Sequence, residues 1–507
     1  MSTPCRCNTK VLRPKRCLIS DGNPCSACTH DMELQKEIEE FEIRTEKRRR
    51  ALRTAMNESH DPFIHKFPPE IASHIFIQYA PPSAFFDKDE KSTPLYLGAV
   101  CQKWRQLAWG TPQLWSSSII GFHANGQYST SNGSDLLQLV TEWLDRTASL
   151  PLTIRFDHPV QEVHGDGVYH DVINILNKHS AKWYDMHFDL PGRHLHRLYG
   201  SSQGNILRRL ALCYPLLWNQ DSDPSTFSMK SKPNPTELTL VAVRLPRVDI
   251  TWHNLTVASV DYIGVDECFE LIRRAPLLEN LSLRRIYSSS SIFPIPNTRI
   301  VLPHLHSLEL SELARIAETN VVTKILDSVC LPSLKQWIHD RSSLPLDNVI
   351  KFIECFSSRL RTFKTGIGDR YLRDENRLPA LLHLLSSLEF LELRSYERSG
   401  EKFFNVLCAS AQSPLFLPQL QSLELAGQRS RPMWECVFQI FAISHRQSLR
   451  VKVNSGDYIE DETLKQLLEL DDKGFDLSIV NGKIDLLQKY REDWPDWATS
   501  PRPSVWA

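Results

Sequence analysis

The chain lacks an apolar run of membrane length, an early hydrophobic leader segment and any appreciable net charge. A bilayer crossing needs about 20 consecutive apolar residues, and a secretory leader needs an apolar block near its start. Their absence gives the expectation of an intracellular protein, cytoplasmic and/or nuclear, with no membrane partner. With 59 Lys and Arg against 60 Asp and Glu, net −1, the chain has no electrostatic footprint for nucleic acid. Three enzyme signatures are also missing: there is no phosphate-binding Gly-x-x-x-x-Gly-Lys, no His-Glu-x-x-His and no Rossmann glycine fingerprint, and His164-Gly165-Asp166-Gly167 reads as a turn. The expectation is therefore a chain that does no catalysis and takes no cofactor. Its default partner is another protein.

What is present is size and apolar content. At 507 residues with 41% hydrophobic residues, the chain is too large for one ordinary core unless it is a repeat array, and too apolar for global disorder. Of its 12 cysteines, Cys101, Cys213, Cys268, Cys330, Cys355, Cys408 and Cys436 sit singly in apolar segments, as reduced packing cysteines do. Cys5, Cys7, Cys17, Cys25 and Cys28 crowd the start beside His30. Cys25-Ser26-Ala27-Cys28 has zinc-ligand spacing, but Cys5-Arg6-Cys7 is a poor second pair, so residues 1–30 read as a disordered thiol-rich tail without a metal.

Asp31 to about Asn57 contains no Gly or Pro and reads as one helix, with Asp31 as N-cap and Lys47-Arg48-Arg49-Arg50 near its C-terminal end. Leu34, Ile38, Phe41, Leu52 and Ala55 follow heptad spacing, which Thr45 and Arg48 interrupt. The expectation is a helix packed on the next domain or weakly self-associating, rather than a sustained coiled coil. Its basic run fits a solvated helix face or a nuclear-import signal.

Phe67-Pro68-Pro69-Glu70-Ile71 opens a second helix, with prolines in its first turn and Glu70 at the positive end of the helix dipole. Ile71, Ile75, Phe76 and Tyr79 fall on one side before Pro81-Pro82 stop it. Leu97, Val100, Cys101, Trp104, Leu107 and Ala108 predict a further helix, closed by Thr111-Pro112-Gln113-Leu114-Trp115. Pro68-Pro69-Glu70-Ile71, Ile75-Phe76, Val100-Cys101-Gln102-Lys103-Trp104-Arg105 and the closing pentapeptide together resemble the F-box in the form common in mushroom-type (basidiomycete) fungi. Two departures are Phe67, where the family usually has Leu, and the polar insert Ser83 to Thr93. The resemblance implies that Phe67, Pro68, Pro69, Glu70, Ile71, Ile75, Phe76, Val100, Cys101 and Trp104 bind the Skp adaptor of a cullin-RING ubiquitin ligase.

Beyond Trp115 the chain repeats itself. Leu302-Pro303-His304-Leu305-His306-Ser307-Leu308-Glu309-Leu310 and Leu417-Pro418-Gln419-Leu420-Gln421-Ser422-Leu423-Glu424-Leu425 share a pattern whose end alternates as a short strand. Strand centres in register are expected at Leu281, Leu308, Trp337, Phe363, Leu391, Leu423 and Leu449, with weaker copies at Leu152, Met186, Leu210 and either Leu238 or Leu255, and Leu477 as the end of the series. Helical patterns lie between them at Asp266 to Arg274, Val322 to Cys330, Asp347 to Phe356, Phe403 to Ala411 and Trp434 to Ile443. This alternation resembles a leucine-rich-repeat solenoid lacking the Asn or Cys that usually follows each strand. The alternative is one doubly wound domain.

The expected fold class is α/β: a helix over 31–60, a small all-α F-box over 61–118, an irregular leucine-rich-repeat solenoid with a parallel sheet over 135–482, and a Trp- and Pro-containing tail over 483–507. The expected role is a substrate-recognition subunit of a Skp-cullin-F-box ubiquitin ligase, the adaptor held by the F-box and an unknown protein target by the repeats; the runner-up is a repeat scaffold acting outside a ligase. Strand alternation aims Ser282, Glu309, Ile338, Lys364, Glu392, Glu424 and Arg450 at the face opposite the core. Glu309, Lys364, Glu392, Glu424 and Arg450, with Phe390 as an aromatic anchor, are the candidate target-binding residues. Trp494 or Trp497 is expected to cap the last repeat, the other reading being a recognition tail.

Overall fold

Short segments in which apolar and polar residues alternate, such as Ser-Leu-Glu-Leu, can bury every second side chain only as strands with one face covered. Fifteen of them join into one sheet in chain order. The computed structural model describes residues 26–60, 66–79, 94–121, 133–157, 166–202, 204–214, 225–288, 292–313, 321–340, 344, 346–355, 359–367, 377–395, 400–411, 416–427, 431–442, 449–454 and 459–493. They divide into two units, residues 1–117 with Arg146–Ala148, and residues 118–145 with 149–507.

The first unit is helical: α1 (Ser26–His60), α2 (Pro69–Tyr79), α3 (Pro94–Val100) and α4 (Gln102–Trp109), followed by a 3-10 turn over Pro112–Leu114. α1 begins at Ser26, ahead of the expected cap Asp31, and takes in part of the segment read as a tail. The single helix expected around Trp104 is two, broken at Cys101, whose extended backbone starts α4 and whose sulfur accepts a hydrogen bond from the Trp104 N–H at 3.4 Å. Cys5, Cys7, Cys17 and Cys25, the insert Ser83 to Thr93, and Trp494, Trp497 and Trp506 lie outside the described residues.

The second unit carries the sheet, with strands β1 (Ser117–Gly121), β2 (Leu152–Asp157), β3 (Trp183–Asp189), β4 (Arg209–Cys213), β5 (Glu237–Val241), β6 (Val257–Asp261), β7 (Asn280–Ile286), β8 (Ser307–Glu312), β9 (Gln336–Asp340), β10 (Thr362–Ile367), β11 (Phe390–Ser395), β12 (Ser422–Gly427), β13 (Arg450–Asn454), β14 (Leu477–Asn481) and β15 (Ile484–Asp485). From β2 to β14 every neighbour is parallel; β15 turns back antiparallel on β14. Among the helices of this unit are α5 (Gly133–Arg146), α6 (Asp166–Lys178), α7 (Val265–Arg274), α8 (Val321–Ser328), α9 (Leu346–Glu354), α10 (Arg377–Leu384), α11 (Gly400–Ala411), α12 (Arg431–Phe441), α13 (Asp461–Asp472) and α14 (Leu486–Asp493). A mixed α/β unit with a large parallel sheet and a helix between many of its strands is compatible with a solenoid-like repeat.

The register is continuous. One row of side chains runs Ile154, Met186, Leu210, Leu238, Ala258, Leu281, Leu308, Trp337, Phe363, Leu391, Leu423, Val451, Leu477, all buried. A second buried row lies two residues further along each strand. Each Val, Leu, Ile, Phe or Met side chain in these rows contributes about 1.5–3 kcal/mol when fully buried. Three placements differ from the sequence expectation. The row passes through Val451 rather than Leu449, because valines replace leucines in Arg450-Val451-Lys452-Val453. It passes through Ile154 rather than Leu152, after an irregularity in β2. Both β5 and β6 exist where one strand was expected, and β6 centres on Ala258, a residue too small to stand out in a search for leucines.

The helices match closely, although Val329–Cys330, expected to end a helix, form a two-residue strand paired with Ile300–Val301. Cys355 is exposed rather than packed inside. At the C-terminal end α14 buries Leu486, Leu487 and Tyr490 on the last repeat, a covering made upstream of the tail tryptophans.

In β9 and β10 the second row holds His339 and Thr365, both buried, in place of leucines. His339 Nδ1 lies 3.1 Å from the Leu310 carbonyl, so one of its two ring nitrogens is met within the sheet. Beside it Trp337 packs 5.1 Å from Phe352 and 5.2 Å from Phe363, ring centre to ring centre. Truncating a buried aromatic costs about 3–5 kcal/mol. Trp337→Ala is expected to lower the stability of the repeat unit by that amount in urea denaturation.

Candidate functional site

The helical unit is organised around tryptophans. Phe76 of α2 is buried and its ring lies 4.8 Å from Trp104 of α4, joining the two helices. Trp115 is buried, donates from Nε1 to the Ala108 carbonyl at 2.8 Å, and meets Trp109 edge-on at 5.2 Å. The Arg146 guanidinium lies 4.9 Å from both of these rings. Gly98 of α3 lies so close to Trp109 that a Cβ there would sit 1.9 Å from a ring carbon. Only glycine permits that helix contact. Thr111 ties the closing turn back to α2 and α4, its hydroxyl lying 3.1 Å from Ser73 Oγ and 2.7 Å from the Leu107 carbonyl.

This arrangement sorts the candidate adaptor-binding residues. Phe67, Pro68, Pro69, Glu70, Ile71, Ile75 and Val100 are exposed, Ile71 at 48%. Phe76 and Cys101 are buried and Trp104 half-buried, so these three hold the unit together rather than present themselves. Ala72 and Phe76 form the inward side of α2, leaving Ile71, Ile75 and Tyr79, spaced four apart, as an outward apolar stripe. The sequence pattern placed Phe76 on that stripe. Offsets of one residue on a helix decide which side a residue takes.

On the sheet, the face opposite the buried rows carries charge in pairs across neighbouring strands. Arg209 on β4 reaches Asp185 on β3 at 3.2 Å and Glu237 on β5 at 2.9 Å. Glu309 on β8 accepts from Arg284 on β7 at 2.9 Å and from the Ser282 hydroxyl at 2.7 Å. Glu392 and Glu424 are register partners, as expected, with Lys364 beside Glu392 at 3.0 Å. The cation beside Glu424 is Lys452, at 3.2 Å, and not Arg450, which lies two residues before that row and pairs with Asp476 at 2.8 Å. That correction follows from Val451 being the strand centre.

Glu392 is 3% exposed, clasped by Lys364 and by Arg394 at 2.5 Å. Burial alone would raise its pKa, but hydrogen bonds from the two cations prevail and hold it below the usual carboxylate value. The carboxylate is thus an internal tie more than a contact surface. Half-buried Phe390 carries the Lys364 ammonium 4.9 Å from its ring centre, and Ile338 lies half-buried two strands before it.

At the other end of the sheet Asp157, Asp189 and Cys213 are register neighbours on β2, β3 and β4, a like-charge contact that sequence spacing did not reveal. Arg155 binds Asp157 at 2.8 Å. Burial, then repulsion from Asp157, raises the Asp189 pKa to about 6 against the pull of Arg155, and burial with the Asp189 charge pushes the Cys213 thiol up to about 12.

Two further features escaped the sequence reading. Glu267, buried at the start of α7, accepts from Arg244 Nε at 3.0 Å and from the backbone N–H groups of Leu245 and Gly264 at 3.1 and 3.2 Å. An open groove beside it is lined by Lys232, Trp252, His253, Arg274 and Phe293 among others. Its cations are already engaged, Lys232 with Asp249 at 2.6 Å and Arg274 over Trp252 and Phe293 at 5.8 and 5.6 Å. Among the described residues no group of three or more His, Cys, Asp or Glu is placed to hold a metal ion, and no helix is long and apolar enough to cross a membrane.

No family model and no curated protein matches the chain. A solved structure of a protein from Bacteroides fragilis aligns with it at 13% identity and a TM-score of 0.25, covering 74% of this chain and 78% of that one.

Because the folded-state pKa of Asp189 lies above its unfolded value of 3.8, its ionised form destabilises the fold at neutral pH, and stability is gained as pH falls through about 6. Asp189→Asn is expected to raise the melting temperature at pH 7.5, with the gain fading as pH is lowered through 6 towards 4; a pH series of melting curves reads this directly.

Proposed function

We propose that this chain is a non-catalytic substrate-recognition subunit of a Skp-cullin-F-box ubiquitin ligase, with the helical unit binding the Skp-type adaptor and the open face of the sheet binding a protein target. The observation that carries the reading is the outward stripe Ile71, Ile75 and Tyr79 on α2, next to exposed Phe67 and Pro68, on a unit whose interior is already filled by Phe76 and the tryptophans. Apolar side chains that a small unit displays rather than buries mark an interaction surface. Of the motif residues that resemble an F-box, Pro68, Pro69, Glu70, Ile71 and Ile75 belong to that exposed region, and Phe76, Cys101 and Trp104 to the interior. Binding adaptor and target at once would raise the effective concentration of target lysines near the conjugating enzyme, without chemistry by this chain.

On the target side, most charges of the open face are neutralised by their neighbours, so affinity falls to the apolar points, Phe390 with Ile338. The paired charges around them select by fit. In this reading Glu309, Lys364, Glu424 and Arg450 form a polar rim, and Glu392 holds Lys364 and Arg394 in place.

Two measurements separate the halves of the proposal. Pro68→Ala with Ile71→Ala is expected to reduce capture of the Skp-type adaptor and its cullin from cell extracts at least about tenfold, the loss of one to two kcal/mol typical of an interface anchor, with an unchanged melting curve for the repeat unit. Undiminished capture would leave the repeat scaffold acting outside a ligase as the better reading. Phe390→Ala is expected to remove a subset of co-purified proteins from a quantitative mass-spectrometric comparison while adaptor recovery stays the same.

A further inference from the structure

The helix α1 is 35 residues long, about 52 Å at 1.5 Å per residue, and it displays its apolar side chains instead of burying them. Leu34, Ile38, Phe41 and Leu52 are all at least half exposed, Phe41 at 65%. The expectation that α1 packs on the neighbouring helical domain is therefore not met by these side chains. A helix this long draws stability from packing of one face or from ion pairs along its surface, and a pair such as Arg50–Glu46, 3.2 Å apart and exposed, contributes only about 0.2–0.5 kcal/mol.

We propose that α1 is a self-association surface through which two copies of this chain pair as an antiparallel two-stranded coiled coil. Two properties of the helix select this occupant. The first is charge. Residues 31–42 carry six acidic side chains and one lysine, net −5, whereas residues 44–53 carry six basic side chains and one glutamate, net +5. Antiparallel alignment lays the acidic half of each copy against the basic half of the other. In a parallel pair, the flanking positions of the heptad would set Glu37 of one copy against Glu42 of the other, and Arg44 against Arg49. Both contacts repel.

The second property is where the seam fails to be apolar. In heptad spacing the seam reads Leu34, Ile38, Phe41, Thr45, Arg48, Leu52, Ala55. With the two-fold axis between Thr45 and Arg48, those two polar residues of one copy meet Arg48 and Thr45 of the other at the centre. Phe41 then faces Leu52, Ile38 faces Ala55, and Glu42 lies opposite Arg49. The interruption that prevents a continuous parallel seam becomes two adjacent polar layers related by the two-fold axis at the centre, the kind of feature that fixes register at some cost in stability. A dimer of this form would present two adaptor-binding units and two sheets in one particle, so that a target with repeated epitopes gains avidity.

The test is sedimentation equilibrium on the purified full-length chain, with circular dichroism to follow folding. The wild type is expected to associate as a dimer, and Phe41→Asp with Leu52→Asp to be monomeric; both positions are exposed in the single chain, so the substitutions leave the fold intact. Glu42→Arg is expected to weaken the dimer about tenfold, since the altered contact occurs twice by symmetry, and Glu42→Arg combined with Arg49→Glu to restore it. A parallel dimer would respond oppositely, because Glu42→Arg would relieve its repulsion from Glu37. A monomer at the highest soluble concentration, a dimer indifferent to the Phe41 and Leu52 substitutions, or a dimer tightened by Glu42→Arg would each overturn the proposal.

Discussion

In a parallel sheet whose strands share one register, each inward side chain rests on those of the strands before and after it. The row from Ile154 to Leu477 is such a stack, and the rest of the second unit follows from it. Connections between strands vary in length and composition, but none can shift its strand by one residue without turning both inward side chains to the opposite face. The row therefore tolerates Ala258, Trp337 and Val451 alike, since volume can be traded with the covering helices, whereas parity along the strand cannot. His339 takes an inward place with one ring nitrogen against the Leu310 carbonyl, which can accept from it inside the sheet.

The same register determines the chemistry of the opposite face. Neighbouring strands bring equivalent positions within about 4.8 Å, so a charge on one strand is answered or opposed by the next. Arg209 between Asp185 and Glu237, and Lys452 beside Glu424, are answered; Asp157 beside Asp189 is opposed. Exposed pairs of this kind add about 0–1 kcal/mol each to stability. Glu392 differs because it is buried between two cations: its depressed pKa gives stability that is present above the ordinary glutamate range and lost as pH falls through its folded value.

Much of this was legible from composition and spacing. Leucine rows from Leu281 to Leu423 and most interstrand helices could be placed, because Leu-x-Leu alternation and three- or four-residue spacing are direct images of strand and helix geometry. Where leucine gave way to alanine or valine, as at Ala258 and Val451, the image faded and the sequence placement slipped by a few residues or merged two strands. The break at Cys101 was hidden because Val100 and Cys101 continue a helical apolar pattern while the backbone does not. Contacts joining distant positions, such as Asp157 with Asp189 or Gly98 with Trp109, have no local signature at all. On α2, the residue types of the stripe were readable, but the assignment of Phe76 to the inside required its partner Trp104.

The sheet also ends in a particular way. Parallel strands leave at their edge a row of unpaired backbone groups on which another extended chain could add. Here the last parallel strand, β14, is met by β15, only two residues long and running in reverse, with Ile484 and Asp485 exposed, and the chain then turns into α14. Two residues offer too short a ladder to template a further strand, and their direction is wrong for continuing the repeat. Over Val480 and Asn481, therefore, the edge of the last parallel strand meets a reversed partner, which gives a neighbouring copy no parallel ladder there on which to carry the row onward.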